Sequence, residues 1–311
     1  NIGEDRINRR FQSASRRHQE ETVDVYTFTL DMNKYLDKYE MIELKYGLEY
    51  NHNDVNSVAF GEDINTGEKD TNVFTRYPSA VSSTDALGAY VYSSFKNDMG
   101  TKLFGGLRYT ANGISVRYDR ADKFTWPEEF YDGLTTENQA VTWSFGVRQD
   151  IFKKWIIQAL LGSAFRSPNV DDLAKVRINS DEVSVPNLGV TPEKSINAEI
   201  SISRKLGFAN ISITGFYTAL SDVIVRENFV LPDGTEFLED EGEQLQVVAN
   251  VNADKARIVG ASFNADWKLT KHWVAKGSIN IVQGRIQSSE EEYTDPLAHI
   301  PPTYGKIQLQ Y

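Results

Sequence analysis

Between residues 40 and 53 the chain reads apolar, polar, apolar, polar: Ile42, Leu44, Tyr46, Leu48 and Tyr50 alternate with Glu43, Lys45, Gly47, Glu49 and Asn51. A period of two sends successive side chains to opposite faces, as a strand does and a helix does not. The pattern recurs. Val141, Trp143, Phe145 and Val147 alternate with Thr142, Ser144, Gly146 and Arg148, and Ile196, Ala198, Ile200 and Ile202 with Asn197, Glu199, Ser201 and Ser203. About eleven such runs are predicted, over 22–34, 40–53, 84–96, 101–118, 136–150, 155–166, 192–205, 209–227, 246–269, 272–287 and 301–311, with helix nearly absent.

The links between the runs alternate in length. Those at 34–39, 96–100, 151–154, 206–209 and 270–271 are short enough for hairpin turns. Those at 54–83, 119–135, 167–191, 228–245 and 287–300 are long and rich in Gly, Asp, Glu and Ser. Strict alternation puts the tight links at one edge and the elaborate loops at the other, an up-and-down meander.

Most runs reach the nine to eleven tilted residues, roughly, that a strand needs to cross a bilayer, against about five or six in an ordinary soluble strand. Trp155 and Trp273 follow the basic short links FKKW and TKHW, and Tyr35, Tyr39 and Phe152 lie near the same edge, as an interfacial aromatic girdle would. A charge on a lipid face costs about 2–4 kcal/mol at the midplane, and the apolar faces carry almost none mid-span. The opposite faces carry Glu43, Lys45, Glu49, Lys102, Arg108, Arg148 and Glu199, which suits a wet or plugged lumen. A soluble sheet with one solvated face shares the alternation; strand length and link asymmetry together favour the membrane. The predicted fold is all-β, an antiparallel up-and-down transmembrane β-barrel.

Composition removes other classes. A net charge of −11 argues against general nucleic-acid binding, and with no cysteine there is neither a disulfide framework nor a thiolate metal site. No apolar run approaches the roughly 18 residues of a membrane helix.

Several stretches resemble the TonB-dependent outer-membrane receptors. FRSPN followed by VDDL, at 165–173, is similar to that family's Phe-Arg-Ala-Pro-Asn box with Ser167 in place of Ala. VPNLGVTPEKSINAEI, at 185–200, is similar to its Asn-Pro-Asn-Leu box and following strand, with Val185 for the first Asn and a longer step to Pro192. ISITGFYTALSDVI, NVNADKARIVGASFNADWKL and PLAHIPPTYGKIQLQY look like its later strands. The resemblance implies a 22-stranded barrel around a plug, located in the bacterial outer membrane, that imports a scarce nutrient with energy supplied by TonB. About eleven strands are seen, so residues 1–311 are expected to be a partial barrel, with plug and closing strands absent and TonB contacted through the missing plug. A ferric siderophore or similar chelate is the favoured cargo. Haem ranks lower, because no histidine lies between the two boxes. No enzyme activity, metal or cofactor is expected; a structural or adhesive barrel and a barrel hydrolase are the alternatives.

Candidate chemistry is sparse. Arg117, Arg166, Asn169 and Arg226 lie near the loop edge and are the candidate contacts to an anionic cargo, with salt bridges to neighbouring acids as the competing role. His52 and Asp54 form a possible hydrolytic dyad with no third partner placed by sequence. The histidines His18, His52, His272 and His299 read as surface residues. The acidic stretches LEDEGE (238–243) and SSEEEY (288–293) lack EF-hand spacing and read as solvated loop tips. The basic stretch 6–18 reads as an outer loop facing lipopolysaccharide phosphates or solvent.

Overall fold

The computed structural model describes residues 2–9, 13–120, 123–152, 154–240, 242–287, 295–298 and 300–311. In chain order its elements are β1 (Ile2–Asn8), β2 (Ser15–Tyr35), β3 (Ile42–Asp63), β4 (Lys69–Asp70), β5 (Val81–Lys96), β6 (Thr101–Arg117), α1 (Glu128–Asp132), β7 (Leu134–Ile151), β8 (Trp155–Arg166), α2 (Val170–Leu173), β9 (Arg177–Asn179), β10 (Glu182–Ser184), β11 (Glu193–Lys205), β12 (Ala209–Asn228), β13 (Phe237–Asp240), β14 (Glu243–Lys268), β15 (Val274–Ile286), β16 (Asp295–Pro296) and β17 (Tyr304–Gln310). The long strands pair antiparallel with their sequence neighbours, β1 with β2 and onward through β3, β5, β6, β7, β8, β11, β12, β14, β15 and β17. This is the predicted meander. Among the described residues β1 and β17 each have one long partner, so the sheet is open.

The distribution of apolar side chains is inverted relative to a soluble protein. Val141, Phe145 and Ile200 expose 65%, 56% and 59% of their surface on the faces that alternation predicted to be apolar. Continuous exposure across neighbouring strands far exceeds what a soluble monomer leaves uncovered, and lipid is the medium in which it carries no cost. At the tight edge Arg204 lies 4.7 Å over Trp155, Phe208 packs 5.7 Å from Trp267 and Trp273 packs 4.9 Å from Tyr311, which builds the predicted girdle.

The opposite face is polar and closely tiled. Asp31, Gly47 and Tyr90 stand in register on β2, β3 and β5. Tyr90 lies flat across Gly47 and donates its hydroxyl to Asp31. A Cβ at Gly47 would sit 2.7 Å from the Tyr90 ring and 2.5 Å from the Leu30 carbonyl oxygen, so only glycine admits the crossing. Arg108 crosses Gly88 in the same way and donates to Glu49 at 2.5 Å.

The long links do not behave as solvated tips. Phe74, Tyr118, Phe124, Trp126, Phe130, Val176, Val183, Val185, Leu231, Leu245, Val247 and Ala249 form one buried cluster. Ile114, Val116, Val170, Leu173, Ala174 and Val190 form a second. Val183 and Val247 are 0% exposed. The molecule's water-excluding core therefore lies above the band, in a folded cap, because only there does burial remove apolar surface from water.

Four expectations are corrected. The stretch 6–18 is not a loop: its first residues complete β1 and its last begin β2, which run side by side from Ile2↔Val23 to Asn8↔Arg17; residues 10–12 lie outside the described residues. The link expected at 54–83 is shorter, since β2 and β3 stay hydrogen-bonded to Ser15↔Asp63, well past the lipid band. Within LEDEGE, Asp240 is 4% exposed and accepts salt bridges from Arg17 at 3.6 Å and from Lys123, so cap packing replaces solvent. His18 is buried against Phe60 rather than on the surface. SSEEEY and His299 fall outside the described residues.

Candidate binding cavity at the outer edge

On β1 and β2 the pleat sends Arg6, Asn8, Arg17 and Gln19 to the face that looks under the cap. Arg17 stacks 4.5 Å over Phe74, and the Gln19 side chain donates to the Phe74 carbonyl at 3.4 Å, which ties the strands to the 64–80 link. Across the gap stand Lys123, Asp240 at the end of β13, and Arg177 and Asn179 on β9. These surfaces enclose a cavity of about 940 Å³. Among the described residues six cations line it (Arg6, Arg9, Arg17, Arg76, Lys123, Arg177) against two carboxylates, Asp70 and Asp240; Arg6 is paired with Glu4 at 2.8 Å, Arg76 with Asp171 at 3.3 Å, and Arg17 and Lys123 with Asp240. In a chain of net charge −11 this is a local reversal of sign, and low-dielectric walls focus such a field.

Beside the cavity an acid is buried. The Glu21 carboxyl has at most a weak contact with the facing Ser57 hydroxyl, and burial raises the carboxyl above the usual range, with Arg6 opposing. Nearby, Tyr77 donates to Asp171 at 2.8 Å and Arg76 approaches the same carboxylate at 3.3 Å; burial, then the Asp171 contact, raises the phenol well above its usual value.

The residues singled out by sequence are placed elsewhere. Arg166 leaves β8 and donates to both Asp172 oxygens, at 2.7 and 2.6 Å, and to Glu193 at 3.1 Å. Burial works against its charge, but the two carboxylates outweigh that and hold its pKa above the usual guanidinium value. Asn169 caps α2: its side chain accepts from the Asp172 amide at 3.0 Å, and Asp172 accepts from the Asn169 amide at 3.0 Å. Arg166 and Asn169 thus meet at Asp172. Arg226 pairs with Glu182 at 3.1 Å, and Arg117 lies against Gly133.

The second box clasps the first. The Asn187 amide donates to the Leu173 carbonyl at 2.9 Å, its side chain donates to the Asn250 carbonyl at 2.8 Å, and Asn250 donates in turn to the Asp172 carbonyl at 2.8 Å. Pro168 and Pro186 are fully buried. His52 sits between Asp54 at 3.0 Å and Asp85 at 2.9 Å, with Tyr50 donating to Asp85 at 2.6 Å. That group shares the face of Leu48 and Tyr50 on β3, outside the sheet and away from the cavity. Of the cavity cations, Arg6, Arg9 and Arg17 were visible in the sequence as part of a basic stretch; Arg76 comes from the 64–80 link, and Lys123 and Arg177 come from more than 100 residues downstream.

The chain matches, over residues 2–311, the family model described as TonB dependent receptor-like, beta-barrel. The chain belongs to the TonB-dependent receptors. Transferrin-binding protein A of Neisseria meningitidis serogroup B is 26% identical over 204 residues, which cover 62% of this chain and 21% of that protein. Among solved structures, the copper transporter OprC superposes with a TM-score of 0.69 at 18% identity, covering 94% of this chain and 42% of that one. The ferric yersiniabactin uptake receptor FyuA of Yersinia pestis gives 0.68 at 14% identity, covering 98% and 42%. The chain thus spans about a fifth of the curated relative's length and under half of each solved chain. As a member of this family of transport receptors it is an outer-membrane β-barrel protein, and its exposed apolar faces are lipid faces.

Proposed function

We propose that this receptor captures an anionic metal chelate, a ferric siderophore or similar, in the cationic cavity under its cap and passes it inward with energy drawn from TonB. In this reading residues 1–311 form part of a barrel whose remaining strands and plug lie outside them, since the open edges along β2 below β1 and along β17 would leave backbone groups unpaired in lipid. The observation that carries the proposal is the six-to-two excess of cations around a cavity of about 940 Å³, within the size range of small-molecule sites. The family relationship and the metal-related cargoes named for its relatives support it.

The test uses the full-length receptor in detergent and ferric chelates of matched size and different charge. Anionic chelates should bind more tightly than neutral or cationic ones and weaken as salt rises from 0.05 to about 0.5 M, as screening requires. Affinity indifferent to chelate charge and to salt would refute the reading. A protein-borne iron source is the second reading, favoured by the transferrin-binding relative and by a cap built on its own buried core.

A further inference from the structure

A second cluster lies on the other face of β1 and β2 and plays no part in cargo capture. Asp5 stands opposite Glu20, and His18 stands opposite Ile7, one pleat along. One ligand atom from each of Asp5, His18 and Glu20 falls within 4.8 Å of the others. Asp5 and Glu20 are exposed, while the His18 side chain is 9% exposed, stacked at 4.6 Å and 8° on Phe60 of β3.

The two ring nitrogens of His18 are in different situations. Nε2 lies 3.1 Å from Glu62 Oε2, a carboxylate oxygen that Arg16 also holds at 2.8 Å, so the geometry assigns the Nε2 proton to that contact. Nδ1 is buried without a hydrogen-bond partner and points toward Asp5 Oδ1 at 3.5 Å. In that tautomer Nδ1 presents a lone pair to a carboxylate oxygen, which is repulsive unless a cation stands between them. The 3.5 Å between Asp5 and His18 fits such a cation. Two ligands on one tetrahedral ion at bond lengths of about 2.0–2.1 Å are separated by roughly 3.3–3.4 Å. Donation of the remote ring N–H to a carboxylate is also the usual arrangement of a metal-ligating histidine.

We propose that Asp5, His18 and Glu20 bind a first-row divalent cation, with Zn²⁺ as the representative ion, that staples β1 to β2. One nitrogen and two carboxylate oxygens suit borderline ions better than Ca²⁺ or Mg²⁺, and the exposed side leaves room for water as a further ligand. The staple acts on the strand whose opposite face places Arg6 and Asn8 in the cavity wall, so it stiffens that wall without touching what the cavity holds.

The competing occupant is a proton, making His18 an imidazolium bridged between Asp5 and Glu62. Full-length receptor in detergent, stripped with EDTA and dialysed, is titrated with ZnCl₂ by calorimetry and with CoCl₂ by visible absorption. The wild type should show a saturable site that D5N/E20Q weakens at least tenfold and H18Q abolishes, while H52Q leaves it unchanged. Because H18Q disturbs a buried ring, D5N/E20Q, isosteric and exposed, carries the test, with heat-modifiable electrophoretic mobility as the check on folding. Zn²⁺ should also slow amide exchange over 2–8 in the wild type and not in D5N/E20Q. Absence of saturable binding, or binding unaltered in D5N/E20Q, would overturn the site in favour of the proton.

Discussion

Trp126→Ala separates the cap from the barrel. Trp126 is 4% exposed and its ring packs 5.3 Å from Tyr118, 5.7 Å from Phe124 and 6.2 Å from Phe130. Truncating a buried Trp to Ala costs about 3–5 kcal/mol in lost burial and residual cavity. None of that surface is shared with the lipid-facing band, where the ladder of backbone hydrogen bonds persists and lipid covers the outer faces. The loss therefore falls on local opening of the cap, and at about 1.4 kcal/mol per tenfold it accelerates exchange there by roughly two to three and a half powers of ten. Hydrogen–deuterium exchange with mass spectrometry on the detergent-purified receptor reads this directly. Peptides covering 118–133, 176–185 and 245–249 should gain exchange by that factor, while those covering 103–111 and 196–202 should not change. Equal acceleration in both sets would show that cap and barrel unfold as one unit, and no acceleration in the first set would show that the aromatic cluster does not hold the cap; either refutes the reasoning.

Ile200→Arg, near mid-band on a lipid face, should lower barrel stability by about 2–4 kcal/mol in a urea titration in lipid vesicles, whereas Ile200→Ala should cost far less because the side chain leaves lipid rather than water. Glu21→Gln should stabilise the cap with a definite pH dependence. The folded carboxyl pKa is raised, so the folded state loses stability as pH rises from the ordinary carboxyl value through the folded one. The gain from Gln is therefore absent in acid and grows toward neutral pH, and a parallel offset at every pH in thermal melts would contradict it. Arg166→Met should leave Asp172 and Glu193, 12% and 16% exposed, without their shared cation and cost about 1–3 kcal/mol, with Arg166→Lys a poor rescue because a single ammonium cannot replace the two guanidinium nitrogens that bond Asp172 and Glu193 separately; full stability in either variant by melting would count against the clasp.

How much of this was legible follows from where each signal is stored. All eleven predicted runs are strands, ten of them of 12 residues or more and the last, β17, of seven, with ends within a few residues at the tight edge, because in the lipid band one face must be apolar over an unbroken period of two. β1 was missed because Arg6 and Asp5 interrupt the pattern above the membrane, where both faces meet protein or water. The cap core was missed because Phe74, Trp126 and Val183 lie in short apolar clusters with no sustained period, Val247 lies at the start of a predicted run, and they meet only after the strands bring their ends together.

The same logic separates the recognisable motifs from the site. Arg166, Asn169, Asn187 and Asn250 stand in stretches that identify the family, and each is spent on another protein group: carboxylates for Arg166, backbone and side-chain partners for the asparagines. Such contacts serve every member of a fold whatever it carries, since they set how the loops leave the strands. A cargo site has the opposite requirement, because its groups must keep bonding capacity in reserve for something that arrives. The residues that meet it here, Arg9 and Arg177 at the cavity wall, pair with no carboxylate among the described residues and belong to no motif. Arg9→Ala with Arg177→Ala should then weaken anionic chelate binding by at least tenfold in a fluorescence-quenching titration while leaving cap exchange unchanged, whereas Arg166→Met should loosen the cap first and affect binding only through it. The reverse ranking would place the cargo on the motif and not in the cavity.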